Sequence, residues 1–477
     1  MLASVLVSSS LGFLGGVFIA SIFSIPPIII YFFFIITPFL LTVFWKDEKV
    51  RYISLFAIFF ILGIFRLNTI SAIFFENENA EHFPIHASIE VEILEIENRD
   101  AIQILVVRPA LNINLHKDIK LKDQDRIRVV TDKFTTYSVG EFIILQGDIE
   151  RPKNFTEDFN WIGYLAKEGI GYIMNKPFIE KTNKHPIGSR AIIFKYKKML
   201  EEGINQSLLP PDSSLYKAMV IGDKADLTNK DRETLQRAGL SHIVAISGMH
   251  IAILVLVLIS FFVSMGLWRH HALYAALSIL ILYILLIGAP ASASRAGIMA
   301  TIAILAERMG RPNSSWRALL FAATIMVALN PLLLRHDIGF QLSYLAVLGI
   351  LMFSDKVHNL VNMIFSKSFS VFFSGHITKD RPIAISSYSM LTSGITGIIS
   401  ITIAAQIFTL PLVIYHFGYA SPWSVVSNLM VLPVLSYTLG AGVFMAVLGR
   451  GGGIITTIAS MPAWIFSKYI WFVASLF

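Results

Sequence analysis

Uncharged apolar stretches of bilayer length constrain this chain more than any other feature. Ile28–Trp45 and Ile251–Leu267 contain no charged residue. They approach or reach the roughly 20 residues a helix needs to cross the hydrocarbon core. A chain of 477 residues has length for several soluble domains, but only 15% of it is charged and Phe alone occurs 36 times. Soluble proteins carry about 25% charged residues, so this chain lacks the polar surface to coat several water-facing cores. The sequence predicts a polytopic α-helical membrane protein. It has no cysteine, which excludes disulfides, iron–sulfur clusters, thiolate metal sites and a cysteine nucleophile. The opening Met-Leu-Ala-Ser lacks a basic n-region, so the first apolar run is expected to be a retained span.

Three apolar stretches, near Leu2–Phe23, Ile25–Trp45 and Tyr52–Phe75, make up an N-terminal membrane part, 1–75. Lys46, Lys49 and Arg51 lie between the second and third, and positive charge at span ends favours the cytoplasm. Residues 76–185 are then expected outside. The same rule puts Arg269, Arg308/Arg311/Arg317 and the Lys356–Arg381 loop inside, and the turns Gly288–Ala291 and His416–Trp423 outside.

Residues 76–185 differ in character. His86–Ile96 alternates Ala87, Ile89, Val91 and Ile93 with Ser88, Glu90 and Glu92, the period of a half-buried strand. A turn at Asn98-Arg99-Asp100 and strands at Ala101–Arg108, Arg126–Thr131 and Glu141–Ile149 complete the pattern. About five short strands in such a length suggest an OB-like β-barrel. This region has a net charge of −5, against +12 for the remainder, which disfavours the barrel as a dock for bare nucleic acid. A local basic stripe of Lys117, Lys120, Lys122, Arg126 and Arg128 is interrupted by acids.

Residues 186–239 read as linker helices. Ala191–Leu209 mixes apolar side chains with Lys195, Lys197 and Lys198, as an interfacial amphipathic helix does. Thr228 to Asp231 forms a capping box whose helix should end at Gly239. In the final part, 240–477, about eight apolar segments follow: 240–267, 272–289, 293–307, 317–334, 338–354, 391–415, 423–448 and 454–476. With the first three, the expected total is about 11 spans.

Polar groups inside those segments are the candidate functional residues, because lipid exposes them at high cost. Ser247 and His250 lie three apart and would share a helical face, with Gly248 allowing a close backbone approach. They form either a polar lining, a Ser–His pair, or a helix-packing motif. Arg295, among small residues, either meets a phosphate with its planar fork or snorkels to an interface. Further clusters are Asp337–Tyr344 after Asn330-Pro331, and Gln406, Pro411, His416–Gly418, Asn428 and Pro433. Such prolines and amides suggest broken helices lining a cavity. His242 and His250 are eight apart, and no H-E-x-x-H, G-x-S-x-G or P-loop run occurs, so no metal site, serine-hydrolase elbow or ATPase motif is read.

As a set these clusters resemble the ComEC/Rec2 competence family of DNA-internalisation proteins. The run Ala218-Met219-Val220-Ile221-Gly222-Asp223-Lys224, then Gly239-Leu240-Ser241-His242-Ile243-Val244-Ala245-Ile246-Ser247-Gly248-Met249-His250, is similar to its most specific motif. Arg295–Ala300, Asn330-Pro331, Gly339–Tyr344 and Pro422 through Asn428 to Pro433 follow in the family's order. The stretch Arg151–Asn160 and Trp161–Ile170 resembles the end of its extracellular OB-like domain. The resemblance implies a plasma-membrane channel for single-stranded DNA during natural transformation, not an enzyme, without cofactor or metal. It implies as partners a DNA receptor, pilus machinery, a cytoplasmic helicase and a separate nuclease. The metallo-β-lactamase-like domain of many members has no counterpart up to Phe477, and their extracellular disulfide cannot form. The path residues it implies are His242, Ser247, His250, Arg295, Gln341, Ser343, Gln406 and Asn428. Gly222, Asp223, Gly239, Gly248, Pro331, Gly339 and Pro433 would be structural. The competing readings are a membrane-embedded Ser/His hydrolase and a small-solute transporter.

Overall fold

The computed structural model chiefly describes residues 2–23, 47–75, 83–98, 102–155, 159–182, 189–373 without 309–313, and 382–477, apart from a few positions within them and the side chains of 2–3, 112–120, 189–190, 307–308 and 365–393. The expected second span, the Asn98–Asp100 turn beyond Asn98, Arg311 and Lys117 fall wholly or largely outside the described residues. The chain forms two compact units: Met1–Lys197 with Leu305–Phe340, and Lys198–Ile304 with Gln341–Phe477.

In the first unit, helices α1 (Leu2–Ile22) and α2 (Glu48–Phe75) lie side by side. A Cβ on Gly12 would collide with the backbone of Phe56, and one on Gly16 with that of Phe60. Ser8 Oγ donates to the Tyr52 carbonyl at 2.8 Å. The contacts advance together along both helices, so α1 and α2 are parallel. Small residues permit this close approach, which dispersion then stabilises. Near the far end of α2, Arg66 donates to the carbonyls of Ala328 and Leu329 at 3.0 and 3.1 Å. Those carbonyls end a helix and have no intrahelical partner.

Among the described residues between Ile85 and Lys181 there are eight strands: β1 (Ile85–Asn98), β2 (Ile102–Pro109), β3 (Ile113–His116), β4 (Ile119–Leu121), β5 (Arg126–Asp132), β6 (Phe142–Glu150), β7 (Ile170–Asn175) and β8 (Phe178–Lys181). The main sheet runs β1-β2-β5-β7-β6-β8, with β1 also pairing β6. Its pairs are antiparallel except β5 with β7. The alternation read in β1 is realised: Ile89, Val91 and Ile93 are buried. A register shift between Ile93 and Glu95 then turns Leu94 inward as well, as a bulge does. Leu105, Ile127, Val129, Ile143 and Leu145 belong to the same core. Strand β7 was not anticipated. Five of its residues are buried in succession, so it has no period to read.

Helix α3 (Trp161–Lys167) precedes β7, and Asn160 Oδ1 caps it by accepting from the Gly163 amide at 2.7 Å. It is bolted to the connection between α11 (Ser315–Leu329) and α13 (Ile338–Phe373), which contains the single turn α12 (Leu333–His336). Asn330 Nδ2 donates to the Lys167 carbonyl at 2.7 Å, and Lys167 Nζ meets Asp337 Oδ2 at 2.9 Å. Asp337 Oδ1 accepts from the Phe340 amide at 2.7 Å and so caps α13. The His336 ring occupies the space a side chain at Gly163 would need.

The second unit begins within α4 (Ser189–Ser207), which leads to α5 (Asp212–Tyr216), a π-helical turn Lys217–Ile221, α6 (Asn229–Arg237) and α7 (Ser241–Val244). The capping box is present. Asp231 N donates to Thr228 Oγ1 at 3.2 Å and Thr228 N to Asp231 Oδ2 at 3.1 Å. Leu215, Met219, Leu235, Leu240 and Ile243 pack with Val431, Leu435 and Ile470 of the long helices. Those are α8 (Gly248–Ser264), α9 (Arg269–Leu286), α10 (Ala291–Arg308), α13, α14 (Pro382–Phe417), α15 (Ser424–Leu448) and α16 (Gly453–Ser475). Among the described residues six helical stretches are long and apolar enough to cross a membrane: Ser4–Ile22, Glu48–Phe75, Arg269–Leu286, Ile338–Ile364, Gly394–Phe417 and Ser424–Gly451. Three shorter apolar helices are Gly248–Ser264, Ala291–Ala306 and Ser315–Leu329.

Two outcomes follow from the Lys167–Asp337 joint. Asp337→Asn keeps an acceptor for the cap and loses the ion pair, whereas Asp337→Ala loses both. Thermal melting of the purified chain should rank wild type above Asn and Asn above Ala, the cap contributing about 1 kcal/mol. Equal melting of the two variants would remove the cap from the account. His336 is held down to about 4 by burial, reinforced by the positive charges of Arg335 and Lys167. Its folded value lies below the unfolded one, so the unfolded chain binds more protons between them. Its contribution is therefore present above about pH 6.5 and is lost as pH falls toward 4. A melting profile of His336→Gln should be flatter over that window.

Candidate functional site

The run expected as one apolar segment, 240–267, is broken. Helix α7 stops at Val244, Ala245 is extended, and α8 starts at Gly248 with Ser247 as its N-cap at φ −107° and ψ 170°. Ser247 and His250 therefore do not share a face within one helix, as the spacing suggested. Ser247 flanks the helix, and its main chain turns so that the third helical residue reaches back to it. The Ser247 amide donates to His250 Nδ1 at 3.3 Å, and Ser247 Oγ lies 2.8 Å from the same nitrogen. A backbone N–H can only donate, so Nδ1 is the acceptor and the neutral ring carries its proton on Nε2. His250 takes the place that Glu or Gln fills in an ordinary capping box. Its Nε2 is buried and unbonded, and the residue is 3% exposed.

Arg295, in the first turns of α10, is 5% exposed. Its Nη1 donates to the Ser343 carbonyl of α13 at 2.7 Å, and its guanidinium carbon lies 5.7 Å from the centre of the Tyr344 ring. Nε has no partner. A Cβ on Gly248 would stand 2.8 Å from Nη2, so the absence of a side chain there is what admits the guanidinium. Ser292 Oγ donates to the Ile246 carbonyl at 2.6 Å and fastens α10 to the break before α8. Thus Ser247, Gly248, His250, Arg295 and Ser343 come together, Ser343 through its carbonyl. Tyr344 and Ser292 complete the group without having been marked as path residues. Tyr344 stood beside Ser343 and Ser292 three residues before Arg295, but nothing in a single sequence distinguishes a ring that covers an arginine from one that fills a core.

A second group lies at the start of α15. Gln406 Nε2 donates to Ser424 Oγ at 2.5 Å, and Ser427 Oγ donates to the Ala238 carbonyl at 2.6 Å. Asn428 is buried with Oδ1 unbonded. Gly239 adopts φ +73° and abuts Ser424, a conformation and a contact that both favour glycine. Gly222, at φ +75°, closes the π-helical turn by donating to the Lys217 carbonyl, and Asp223 Oδ1 accepts from the Ala225 amide at 2.9 Å. His242 is exposed on α7, Gln341 is half-buried in the first turn of α13, Pro331 is buried, Gly339 is exposed, and Pro433 is exposed within α15. Among the described residues no three His, Asp or Glu side chains gather as metal ligands would.

A family model described as competence protein matches residues 219–477. The chain belongs to the competence protein family. ComE operon protein 3 of Bacillus subtilis (strain 168) is 26% identical over 307 residues, which is 64% of this chain and 35% of that protein. The chain thus aligns with about a third of that relative's length. No solved structure matches. With membership of the competence protein family and its apolar helices, the chain is a membrane protein. The matched region starts in the Met219–Lys224 run and contains both polar groups, so the family's shared segment is the one that carries the site.

The cap geometry predicts that His250→Gln, whose amide oxygen can accept from Ser247, retains most thermal stability. His250→Leu should lose about 1 kcal/mol or more. Equal melting of the two would show that the imidazole does not cap α8.

Proposed function

We propose that this chain is the membrane channel through which a single DNA strand enters the cell during natural transformation. The observation that carries this reading is Arg295, buried among apolar helices, with no carboxylate pairing it among the described residues. A charge so placed needs a partner, and intramembrane ionisable groups usually face an interior path. The guanidinium fork matches phosphate oxygens. Membership of the competence protein family points to the same substrate.

In this reading the chain crosses the bilayer about 11 times. The six long helices, the three shorter ones, α16 and a passage between α1 and α2 supply that number, and the parallel order of α1 and α2 favours such a return passage. Positive charge at Lys49, Arg51, Arg269 and Arg317 favours the cytoplasm for their span ends, leaving residues 76–185 outside. The circuit β1–β2–β5–β7–β6–β1 with one parallel pair supports an OB-like barrel there. That barrel gates or receives the strand and does not capture it. Its net charge is −5. Two arginines of its basic stripe are already engaged: Arg126 Nη1 donates to the Glu168 carbonyl at 3.0 Å, and Arg128 lies over Trp161 at 5.3 Å. Capture, pulling and degradation of the second strand then fall to a DNA receptor with its pilus, a cytoplasmic helicase and a separate nuclease. His242, Gln341, Gln406 and Asn428 are further path residues. The chain acts without catalysis. The 2.8 Å approach of Ser247 Oγ to His250 favours the hydrolase reading locally, but Nε2 lacks the third group that would orient a base.

Uptake of fluorescent DNA into a deletion strain tests the proposal. Wild type should restore uptake. Arg295→Ala should reduce it at least tenfold with normal abundance in the membrane, and Arg295→Lys should restore part of it. Cysteines placed singly at Ser247, His250 and Arg295 of this cysteine-free chain should react with aqueous thiol reagents faster than one at Leu256, which is exposed on an apolar helix. Full uptake by Arg295→Ala, or protection of all three cysteines, would sink the channel assignment.

A further inference from the structure

The contact between Gly248 and Arg295 brings together two groups of the same electrostatic sign. Helix α8 runs 17 residues from Gly248, and its first amide groups carry about half a positive charge as the end of its macrodipole. The Ser247 amide is taken by His250 Nδ1, but those of Gly248 and Met249 have no intrahelical acceptor. Against this end stands Arg295, a residue 5% exposed, with Nη2 2.8 Å from where a Gly248 Cβ would be. Among the described residues no carboxylate lies within ion-pair distance of it.

The guanidinium is also used asymmetrically. Nη1 is spent on the Ser343 carbonyl, and Tyr344 lies over one face. The opposite edge, Nε with Nη2, is the one that grips two oxygens side by side, and Nε is buried without a partner. The free arginine edge and a helix pole thus meet with no carboxylate against them among the described residues.

We infer that the N-terminus of α8 and the Nε–Nη2 edge of Arg295 form a binding site for one phosphate-class anion. This deepens the channel reading and rests on it for the source of that anion, a phosphodiester of the passing strand. Helix N-termini bind phosphate through free amides and the dipole, and a tetrahedral group can offer two oxygens to the arginine edge and one to the amides. Gly248 is the residue on which the site depends, because any side chain there would push Nη2 away. A lipid headgroup or free phosphate has the same chemistry.

The test uses the full chain in phosphatidylcholine nanodiscs, titrated calorimetrically with three probes: a hexathymidylate, its uncharged methylphosphonate analogue, and inorganic phosphate. Wild type should bind hexathymidylate and phosphate at least tenfold more tightly than the analogue. Gly248→Ala and Arg295→Gln should each lose that preference, and Arg295→Lys should keep part of it. Should either variant fail to fold, the wild-type comparison of charged and uncharged oligonucleotides still decides. No preference for the charged probes, or full preference in a folded Gly248→Ala chain, overturns the site. Loss of hexathymidylate binding in phosphatidylglycerol nanodiscs supports the site with a headgroup as its occupant. Uptake in the deletion strain separates the two claims. Phosphate preference without restored uptake leaves the site and removes the channel reading; restored uptake without phosphate preference does the reverse.

Discussion

A bilayer provides no water to satisfy a polar group, and that constraint organises the second unit. Each buried side chain there must find an internal partner or face a path. Most do find one. Tyr216 Oη donates to the Ala463 carbonyl at 2.8 Å, Tyr283 Oη to that of Val220 at 2.8 Å, and Ser427 Oγ to that of Ala238. The acceptors are mostly backbone carbonyls freed where helices end or widen. The π-helical turn at Lys217–Ile221 and the break at Ala245–Ser247 create them, and hydroxyls from other helices satisfy them. Against this background six buried side-chain atoms of the unit have no partner among the described residues: Asp212 Oδ1, Ser214 Oγ, His250 Nε2, Arg295 Nε, Asn428 Oδ1 and Trp471 Nε1. An unmade hydrogen bond in such surroundings costs on the order of 1–3 kcal/mol, and among these six Arg295 is the one cation.

The features legible in the sequence are those that local chemistry decides. Thr228 and Asp231 satisfy each other's backbone within one turn, so spacing alone reveals the helix start. The alternation in Ile85–Asn98 reports one wet and one dry face, and the structure pairs it accordingly. Strand β7 is buried all along and loses the period that would mark it. The joint of Lys167 with Asp337 is 170 residues apart in the chain, and each partner alone reads as an ordinary surface charge.

The site was legible in its membership more than in its geometry. Ser247, His250 and Arg295 stand out as polar groups in apolar runs, and they do meet. How they meet depended on a helix break that hydropathy hides, because Ala245 and Ile246 are as apolar as what surrounds them. The serine before glycine, with an acceptor three residues on, was the local sign of a helix start. The role of Ser343 was not available in principle. Its carbonyl, not its hydroxyl, meets Arg295, and every residue carries a carbonyl.

The distribution of charge completes the argument about where a phosphate would be held. An exposed lysine or arginine attracts phosphates through a field that salt screens within about 8–10 Å. The sheet region offers little of that, since its net charge is −5 and Arg126 and Arg128 are committed to its own backbone and aromatic surface. Arg295 is shielded from salt by burial, so its pull on an anion persists at ionic strengths that would silence a surface patch. The buried pull has a short reach, however, and acts only on a phosphate already stripped of most of its water. Long-range capture and short-range grip are therefore different tasks that this chain cannot perform with one surface. In the proposed channel reading, the grip then falls to the helices and capture to a more basic partner.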